Sequence, residues 1–412
     1  MNLFNMEKLL AFAFLMVALP SSGMVSGYAS AVNEFTPYPS LLSLSAANSE
    51  FALRLYRQIA TQPDTASQNI FFSPLSISAS LSMLSLGAKE RTRAQLLQVL
   101  GYSNMTNNGA VAVRETFPQL LEHLNNVSVG IHMGSSLYVQ NGKEIHEKFL
   151  KEAEEFYNAE TVTVDFHEQQ STKDKINAYV NSKTNGKIPD FLKEPLSSDT
   201  LMFLLNYILF KGEWLQPFDT KHTYEADFHV DDRTTVRVHM MRRTGMYYWT
   251  YAEDLSSDAL LMEYAGNTSL LILLPKSGKL AELERKLTVQ RFDHLSLSMQ
   301  KQSVDVHFPK MTLKTAYKLK PLLSSMGIED AFTNYANFSG ISEQPVKLSK
   351  VMHKAVLEVD EEGTKATAVT GMQAIPLSLP VEFKCNRPFL LLIADNYIRS
   401  VVFAGRVMNP SI

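Results

Sequence analysis

Residue types that could carry out catalysis are present in this chain, but none has the spacing of a catalytic motif. There is no Gly-x-Ser-x-Gly turn, no Gly-x-Gly-x-x-Gly run and no phosphate-binding Gly-x-x-x-x-Gly-Lys loop. His146 is followed by Glu147 but lacks the second histidine of a zinc-protease helix, and the 10 histidines are scattered without ligand spacing. We therefore expect no enzyme activity, no metal and no other cofactor.

The single cysteine, Cys385, excludes an intrachain disulfide. Cys385 lies in an apolar, strand-like run, and a thiol in apolar surroundings is usually inert. We predict a buried, unreactive thiol and a fold that is held together by packing alone.

A stretch near the C-terminus, EEGTKATAVTGMQAIPLSLP from Glu361 to Pro380, has an unusual pattern of small residues. At a period of two, one face carries Thr364, Ala366, Ala368 and Thr370. The opposite face carries Lys365, Thr367, Val369 and Gly371. The pattern predicts a strand with an unobstructed inner face, and the alternative is a long surface loop without a role.

Composition and charge limit the classes of partner. The chain has 412 residues, of which 45% are hydrophobic and 20% charged, which is enough for a large core. The net charge of −3 gives no indication of nucleic acid or an anionic membrane as the main partner.

The N-terminus predicts secretion. Residues Leu9–Leu19 form an apolar run that is short for a membrane span, so residues 1–23 are interpreted as a signal peptide rather than a retained anchor. Cleavage after Gly23 suits the spacing, whereas cleavage after Ala31 suits the small-residue rule, and both remain open. Residues 24–44 would then form an N-terminal tail. The glycosylation sequons are at Asn104, Asn126, Asn267 and Asn337.

Helical patterns come early in the chain and strand patterns come late. A helix capped by Asn48 or Ser49 and a buried, serine-rich helix from Pro74 to Gly87 are predicted first. Apolar hairpins follow around the turns at Ala265–Asn267 and Asp395–Asn396. This order predicts an α+β fold with large antiparallel or mixed sheets.

Five segments together resemble the serpin family of protease inhibitors. They are NIFFSPLSISASLSMLSLGA, LNYILFKGEWLQPF, VMHKAVLEVDEEGTKATA, FKCNRPFLLLI and FAGRVMNP. The resemblance covers nearly all of residues 45–412, which would form one domain of three β-sheets and about nine helices with an exposed reactive loop.

The resemblance also implies a function and its residues. The chain would be a secreted, monomeric inhibitor of chymotrypsin-like or elastase-like serine proteases. The protease would cleave the chain once and would then be trapped in a covalent complex with it. The reactive bond would join Leu377 and Ser378. The hinge of the inserting loop would comprise Glu361, Gly363, Thr364, Ala366 and Ala368. The residues where the main sheet opens would be Ser73, Ser76, Asn206, Trp214, Lys310 and His353.

Two other functions remain open within the family. Some serpins carry a small apolar hormone instead of inhibiting a protease. Such carriers tolerate bulky or charged residues at the inward hinge positions, and this sequence has none at those positions. A collagen-type chaperone is disfavoured because the chain has no retention signal at its end. The region that binds heparin in other serpins has only Arg114 as a fixed cation, so no heparin cofactor is expected.

Overall fold

The structure is a computed structural model in which residues 39–104, 109–127, 130–362 and 379–412 are described. Within these ranges there are nine α-helices: α1 (Pro39–Ala60), α2 (Pro74–Gly87), α3 (Glu90–Val99), α4 (Gly109–Val127), α5 (Glu147–Tyr157), α6 (Gln169–Lys183), α7 (Leu280–Lys286), α8 (Val289–Ser298) and α9 (Leu319–Ser325). None of the described helices is long and apolar enough to cross a membrane.

The same ranges contain fourteen strands. They are β1 (Ile70–Phe72), β2 (Ile131–Gln140), β3 (Glu160–Val164), β4 (Met202–Phe210), β5 (Tyr224–His229), β6 (Thr235–Ala252), β7 (Ser257–Glu263), β8 (Thr268–Pro275), β9 (Gln300–Pro309), β10 (Met311–Lys318), β11 (Leu348–Val359), β12 (Val381–Lys384), β13 (Phe389–Asp395) and β14 (Ser400–Val407).

A five-stranded sheet has the order β10-β11-β4-β2-β3. The central strand β4 runs parallel to its neighbour β11, and all nine residues of β4 are buried because both faces are covered. Both neighbours on the outer sides, β10 beside β11 and β2 beside β4, are antiparallel. The β4–β11 pair is therefore a parallel step between two antiparallel pairs.

The other strands form a nine-stranded sheet in the order β1-β14-β13-β8-β7-β6-β9-β12, with β5 paired to β6. The 18-residue strand β6 pairs with β7 at its C-terminal end and with β5 and β9 before that. Because β6 pairs with β7 at one end and with β5 and β9 at the other, two of the three expected sheets are joined into one hydrogen-bonded sheet. The α+β class and both predicted hairpins, β7–β8 and β13–β14, are confirmed.

The first helix is longer than its capping pattern predicted. α1 begins at Pro39, within the segment assigned to a tail, and Leu41 and Leu44 are buried. Asn48 is a mid-helix residue rather than a cap, so that prediction is wrong. Its amide donates to the Val401 carbonyl at 2.8 Å and to Ser400 Oγ at 3.0 Å. A polar residue on a buried helix face can mark a tertiary contact as well as a helix end.

The second helix is buried, as its sequence predicted. Ser73 caps it by accepting a hydrogen bond from the Ser76 amide, and Pro74 occupies the first turn. Several of its serine hydroxyls bond within the helix or to neighbours: Ser80 Oγ donates to the Ser76 carbonyl at 3.0 Å, and Ser78 Oγ donates to Asn48. These bonds offset the loss of water around the serine hydroxyls of a helix placed in the core.

Apolar residues form two clusters on opposite faces of the five-stranded sheet. The larger cluster lies between the sheets and includes α1, α2 and the inner face of β14. The smaller cluster packs α6 and the segment after it, through Ile176, Val180 and Phe191, against Met352 and Val356 of β11. α6 therefore covers the sheet next to the β4–β11 pair.

The environment of Cys385 gives a prediction about its chemistry. Its side chain is fully buried, and burial raises the pKa of the thiol well above its ordinary value, so the reactive thiolate is scarce at neutral pH. We expect no reaction with Ellman's reagent in the native protein and one thiol per chain after unfolding in guanidinium chloride. Reaction of the native protein within minutes would contradict the burial of Cys385.

Candidate functional site

The predicted sheet-opening residues meet where β4 and β11 pair. Asn206 of β4 and His353 of β11 are register partners, and both side chains are fully buried. The Asn206 amide nitrogen lies 2.6 Å from Ser76 Oγ and 2.9 Å from Ser80 Oγ, both on α2. Separation of β4 from β11 would therefore expose or orphan polar groups that are now satisfied in the core.

The hydrogen bonds of His353 assign its protonation state. Nε2 accepts from the Ser73 backbone N–H at 3.1 Å, so this nitrogen carries no proton. Nδ1 must then be the donor to Asn206 Oδ1, which makes the ring the neutral Nδ1–H tautomer. Burial lowers the pKa of His353 to about 3. A second proton would destroy the bond to Ser73 and place a charge in the core.

Trp214 lies at the edge of the sheet where β4 and β11 both end. Its indole Nε1 donates to the Asp360 carbonyl at 2.8 Å, and its backbone N–H donates to the Glu362 carbonyl at 3.1 Å. The indole is buried and stacks on Tyr264 with 4.2 Å between ring centroids. These contacts anchor the last described residues before position 363.

Glu361 is held in the same region by side-chain hydrogen bonds. Lys310 Nζ lies 2.8 Å from its Oε2, and Thr223 Oγ1 donates to its Oε1 at 2.8 Å. Burial alone would raise the pKa of Glu361, but the hydrogen bonds from Lys310 and Thr223 outweigh it and leave the pKa below its ordinary value. The ionised carboxylate thus ties the end of the β11 segment to Lys310, which joins β9 to β10.

The structure brings together all described residues of the predicted site, in two groups. Ser73, Ser76, Asn206 and His353 lie along the β4–β11 pair, whereas Trp214, Lys310 and Glu361 lie at its end. The predicted Gly363, Thr364, Ala366, Ala368, Leu377 and Ser378 lie outside the described residues.

Two of the four sequons have described side chains. Asn267 has a left-handed backbone, with φ of +66°, in the β7–β8 turn, and Asn337 donates a hydrogen bond to Glu90 at 3.3 Å. The side chains of Asn104 and Asn126 lie outside the described part of the chain.

Several residues of the site were not predicted from the sequence. Ser80 and Ser135 complete the cluster around Asn206, with 2.6 Å between their hydroxyls. Ser80 could have been found, because it follows Ser76 by one helical turn and shares its face. Lys211 bonds Glu362 at 2.6 Å, and this contact raises the pKa of Lys211 to about 12. No local pattern links Lys211 to Glu362, 151 positions away.

The neutral, buried His353 gives a prediction about pH. Its pKa is about 3 in the folded protein and near 6.5 when unfolded. The unfolded chain therefore takes up the proton first, and the free energy of unfolding falls as the pH drops below about 6.5. Between pH 7 and pH 5 we expect a loss of about 2 kcal/mol from this residue. Urea unfolding of the parent and of His353→Gln at both pH values should show a smaller loss for the variant, and equal losses would contradict this assignment.

Comparisons with known proteins agree with this architecture. The family profile described as Serpin (serine protease inhibitor) matches residues 46–410. Alpha-1-antiproteinase of Rattus norvegicus is 42% identical over 376 residues, which is 90% of each chain. Alpha-1-antitrypsin of Meriones unguiculatus is 43% identical over 88% of this chain and 89% of its own.

Solved structures give the same result. Mouse protein-Z dependent protease inhibitor superposes with a TM-score of 0.84 at 31% identity, over 90% of this chain and 98% of its own. Human thyroxine-binding globulin, solved with thyroxine, superposes with a TM-score of 0.83 at 35% identity, over 90% of this chain and 99% of its own. With a family match over nearly the whole folded region and relatives above 40% identity, the chain belongs to the serpin family.

Proposed function

We propose that this chain is a secreted inhibitor of chymotrypsin-like or elastase-like serine proteases that acts by insertion of its own cleaved loop. The observation that carries the proposal is the parallel β4–β11 pair, whose two strands end together at Trp214 and Glu361. The chain continues from this end through Gly363 and returns at β12 of the other sheet. A segment that leaves β11 here can turn back and run between β4 and β11.

The direction of the strands favours such an insertion. A segment that follows β11 through a tight turn runs antiparallel to it, and therefore antiparallel to β4 as well. One parallel ladder would be replaced by two antiparallel ladders, which are slightly more stable per residue. The inner face of small residues at Thr364, Ala366 and Ala368 requires no new cavity beneath it.

The energy available is large compared with the stability of a domain. A new strand of about a dozen residues adds on the order of ten net hydrogen bonds, each worth about 0.5–1.5 kcal/mol. The sum of about 5–15 kcal/mol equals a typical domain stability. The uncleaved state would then be held kinetically, by contacts such as Asn206–His353 and Lys310–Glu361 that must break or move before the sheet opens.

In the proposed reaction the chain is the substrate and the protease supplies the catalytic groups. The protease serine attacks the Leu377 carbonyl carbon, the bond to the Ser378 nitrogen breaks, and that nitrogen leaves as an amine after taking a proton. The residues up to Leu377 stay linked to the enzyme as an ester. Insertion before hydrolysis of this ester would carry the protease away from the loop's original position and leave it trapped.

Formation of a covalent complex tests the proposed inhibition directly. Incubation with chymotrypsin should give a band on a denaturing gel near the summed mass of both proteins, because the ester survives denaturation. Cleaved chain with fully active, uncomplexed protease would contradict inhibition. It would favour the carrier function instead, which the similarity to thyroxine-binding globulin makes the second candidate.

A matched pair of substitutions tests the inserting face in the same assay. Thr364→Arg would place an unpaired charge inside the closed sheet, at a cost of several kcal/mol, so insertion should lose to hydrolysis and the variant should become a substrate. Thr367→Arg adds the same side chain on the opposite face and should still form the complex. If both variants inhibit equally, the assignment of the inward face is wrong.

The choice of protease gives a further prediction. Leu377 is aliphatic and uncharged, so a roomy apolar pocket would bury it for about 1.5–3 kcal/mol, whereas a pocket with an aspartate at its base would keep an unpaired charge. Association should therefore be faster with chymotrypsin than with trypsin. Leu377→Arg should reverse this order, whereas Leu377→Phe should keep it. If the Leu377→Arg variant still associates faster with chymotrypsin than with trypsin, the reactive bond lies elsewhere.

A further inference from the structure

Lys211 ties the end of β4 to the end of β11, and we propose that this tie limits the rate at which the sheet opens for insertion. Lys211 is the residue directly after β4, and Asp360 is the residue directly after β11. The proposal rests on the proposed function, because opening here is the step at which a segment would enter between the two strands. Lys211 would be a positioning residue for that step.

The side chain of Lys211 crosses the gap between the two halves of the sheet. Its backbone N–H donates to the Gly130 carbonyl at 3.0 Å, which fixes the residue to the β2 side of β4. Its Nζ lies 3.2 Å from Asp360 Oδ2 and 2.6 Å from Glu362 Oε2, beyond the end of β11. The backbone ladder of β4 with β11 ends at Phe210. Lys211 therefore continues the contact between these strands by charge, where the backbone hydrogen bonds have ended.

Lys310, the other lysine of this region, lies on a different side of the opening. It joins β9 to β10, and β10 pairs with β11 along all eight of its residues. Its bond to Glu361 can therefore move together with β11 when β4 separates. The two contacts of Lys211, in contrast, join parts of the sheet that separate, so they must break before a segment enters.

Three consecutive carboxylates make the charge of Lys211 important. Asp360, Glu361 and Glu362 follow β11 directly, and the ion pairs of Asp360 and Glu362 among the described residues are both made with Lys211. Lys310 pairs with Glu361. Without Lys211, the excess of negative charge at the end of β11 would be self-repelling. Removal of Lys211 would therefore break the tie and also favour spreading of this acidic end.

The strength of the tie is limited by its exposure to water. The hydrogen bond to Glu362 raises the pKa of Lys211 to about 12, with a smaller contribution from Asp360, although burial opposes the shift. Lys211 is thus charged at neutral pH. Its side chain is 44% exposed and that of Glu362 is 70% exposed, so dissolved ions reach the pair and screen it. A tie of this kind slows opening, and its effect should decrease as salt is added.

Uptake of a synthetic peptide measures opening of the sheet without a protease. A peptide with the sequence of residues 363–376 would occupy the place between β4 and β11 that the loop takes in the proposed mechanism, and uptake is followed by mobility on a native gel. At low salt, Lys211→Met should take up the peptide about fivefold faster than the parent, as expected for loss of two partly exposed ion pairs. Added sodium chloride should raise the parent's rate toward that of the variant, whose own rate should change little.

Arg237→Met is the matched control. Arg237 also pairs with two carboxylates, Asp227 at 2.9 Å and Glu225 at 3.3 Å, but all three residues lie within the β5–β6 hairpin. This variant should keep the rate and the salt dependence of the parent. Glu362→Gln tests the same tie from its exposed partner and should also accelerate uptake at low salt. The double variant Lys211→Met/Glu362→Gln should be no faster than Lys211→Met.

The outcomes separate the tie from the insertion on which it rests. Uptake by Lys211→Met at the parent's rate, an acceleration that persists at high salt, or an equal acceleration in Arg237→Met would overturn the role of Lys211. A parent that takes up no peptide, and whose thermal midpoint stays the same after its loop is cut, would instead overturn insertion and with it the proposed function.

Discussion

The parallel contact between β4 and β11 is the constraint on which the rest of this molecule depends. It joins two antiparallel strand pairs in the centre of the five-stranded sheet, and both of its strands are held from the side by α2. The contact is satisfied by neutral hydrogen bonds, from the Ser73 amide through His353 to Asn206 and then to Ser76 and Ser80. Because every member of this chain of bonds is buried, opening the sheet at one point leaves several polar groups without partners, and the barrier is cooperative.

The end of the same contact is built differently. Trp214, Lys211 and Lys310 hold Asp360, Glu361 and Glu362 through one indole bond, one backbone bond and two sets of partly exposed ion pairs. Partly exposed ion pairs are weak individually and exchange easily with water. A sheet that is firmly bonded in its middle and loosely tied at one end would open from that end, which is where the proposed inserting segment begins.

The sequence by itself determined the local features of the fold and the candidate site. Its patterns predicted the capped, buried helix from Pro74 to Gly87, both late hairpins and the buried Cys385, because each depends on spacing within a short window. The class of the fold followed from the order of helical and strand patterns along the chain. Its motifs identified Ser73, Asn206, Trp214 and His353 only through their resemblance to a family. Only the tertiary structure decided which residues these side chains bond to. Asn48, which was predicted to cap a helix, instead donates a hydrogen bond to Val401, 353 positions away. Lys211 bonds Glu362, 151 positions away. Contacts of this kind leave no periodic pattern in the sequence, since nothing but the packing of the sheets brings the partners together.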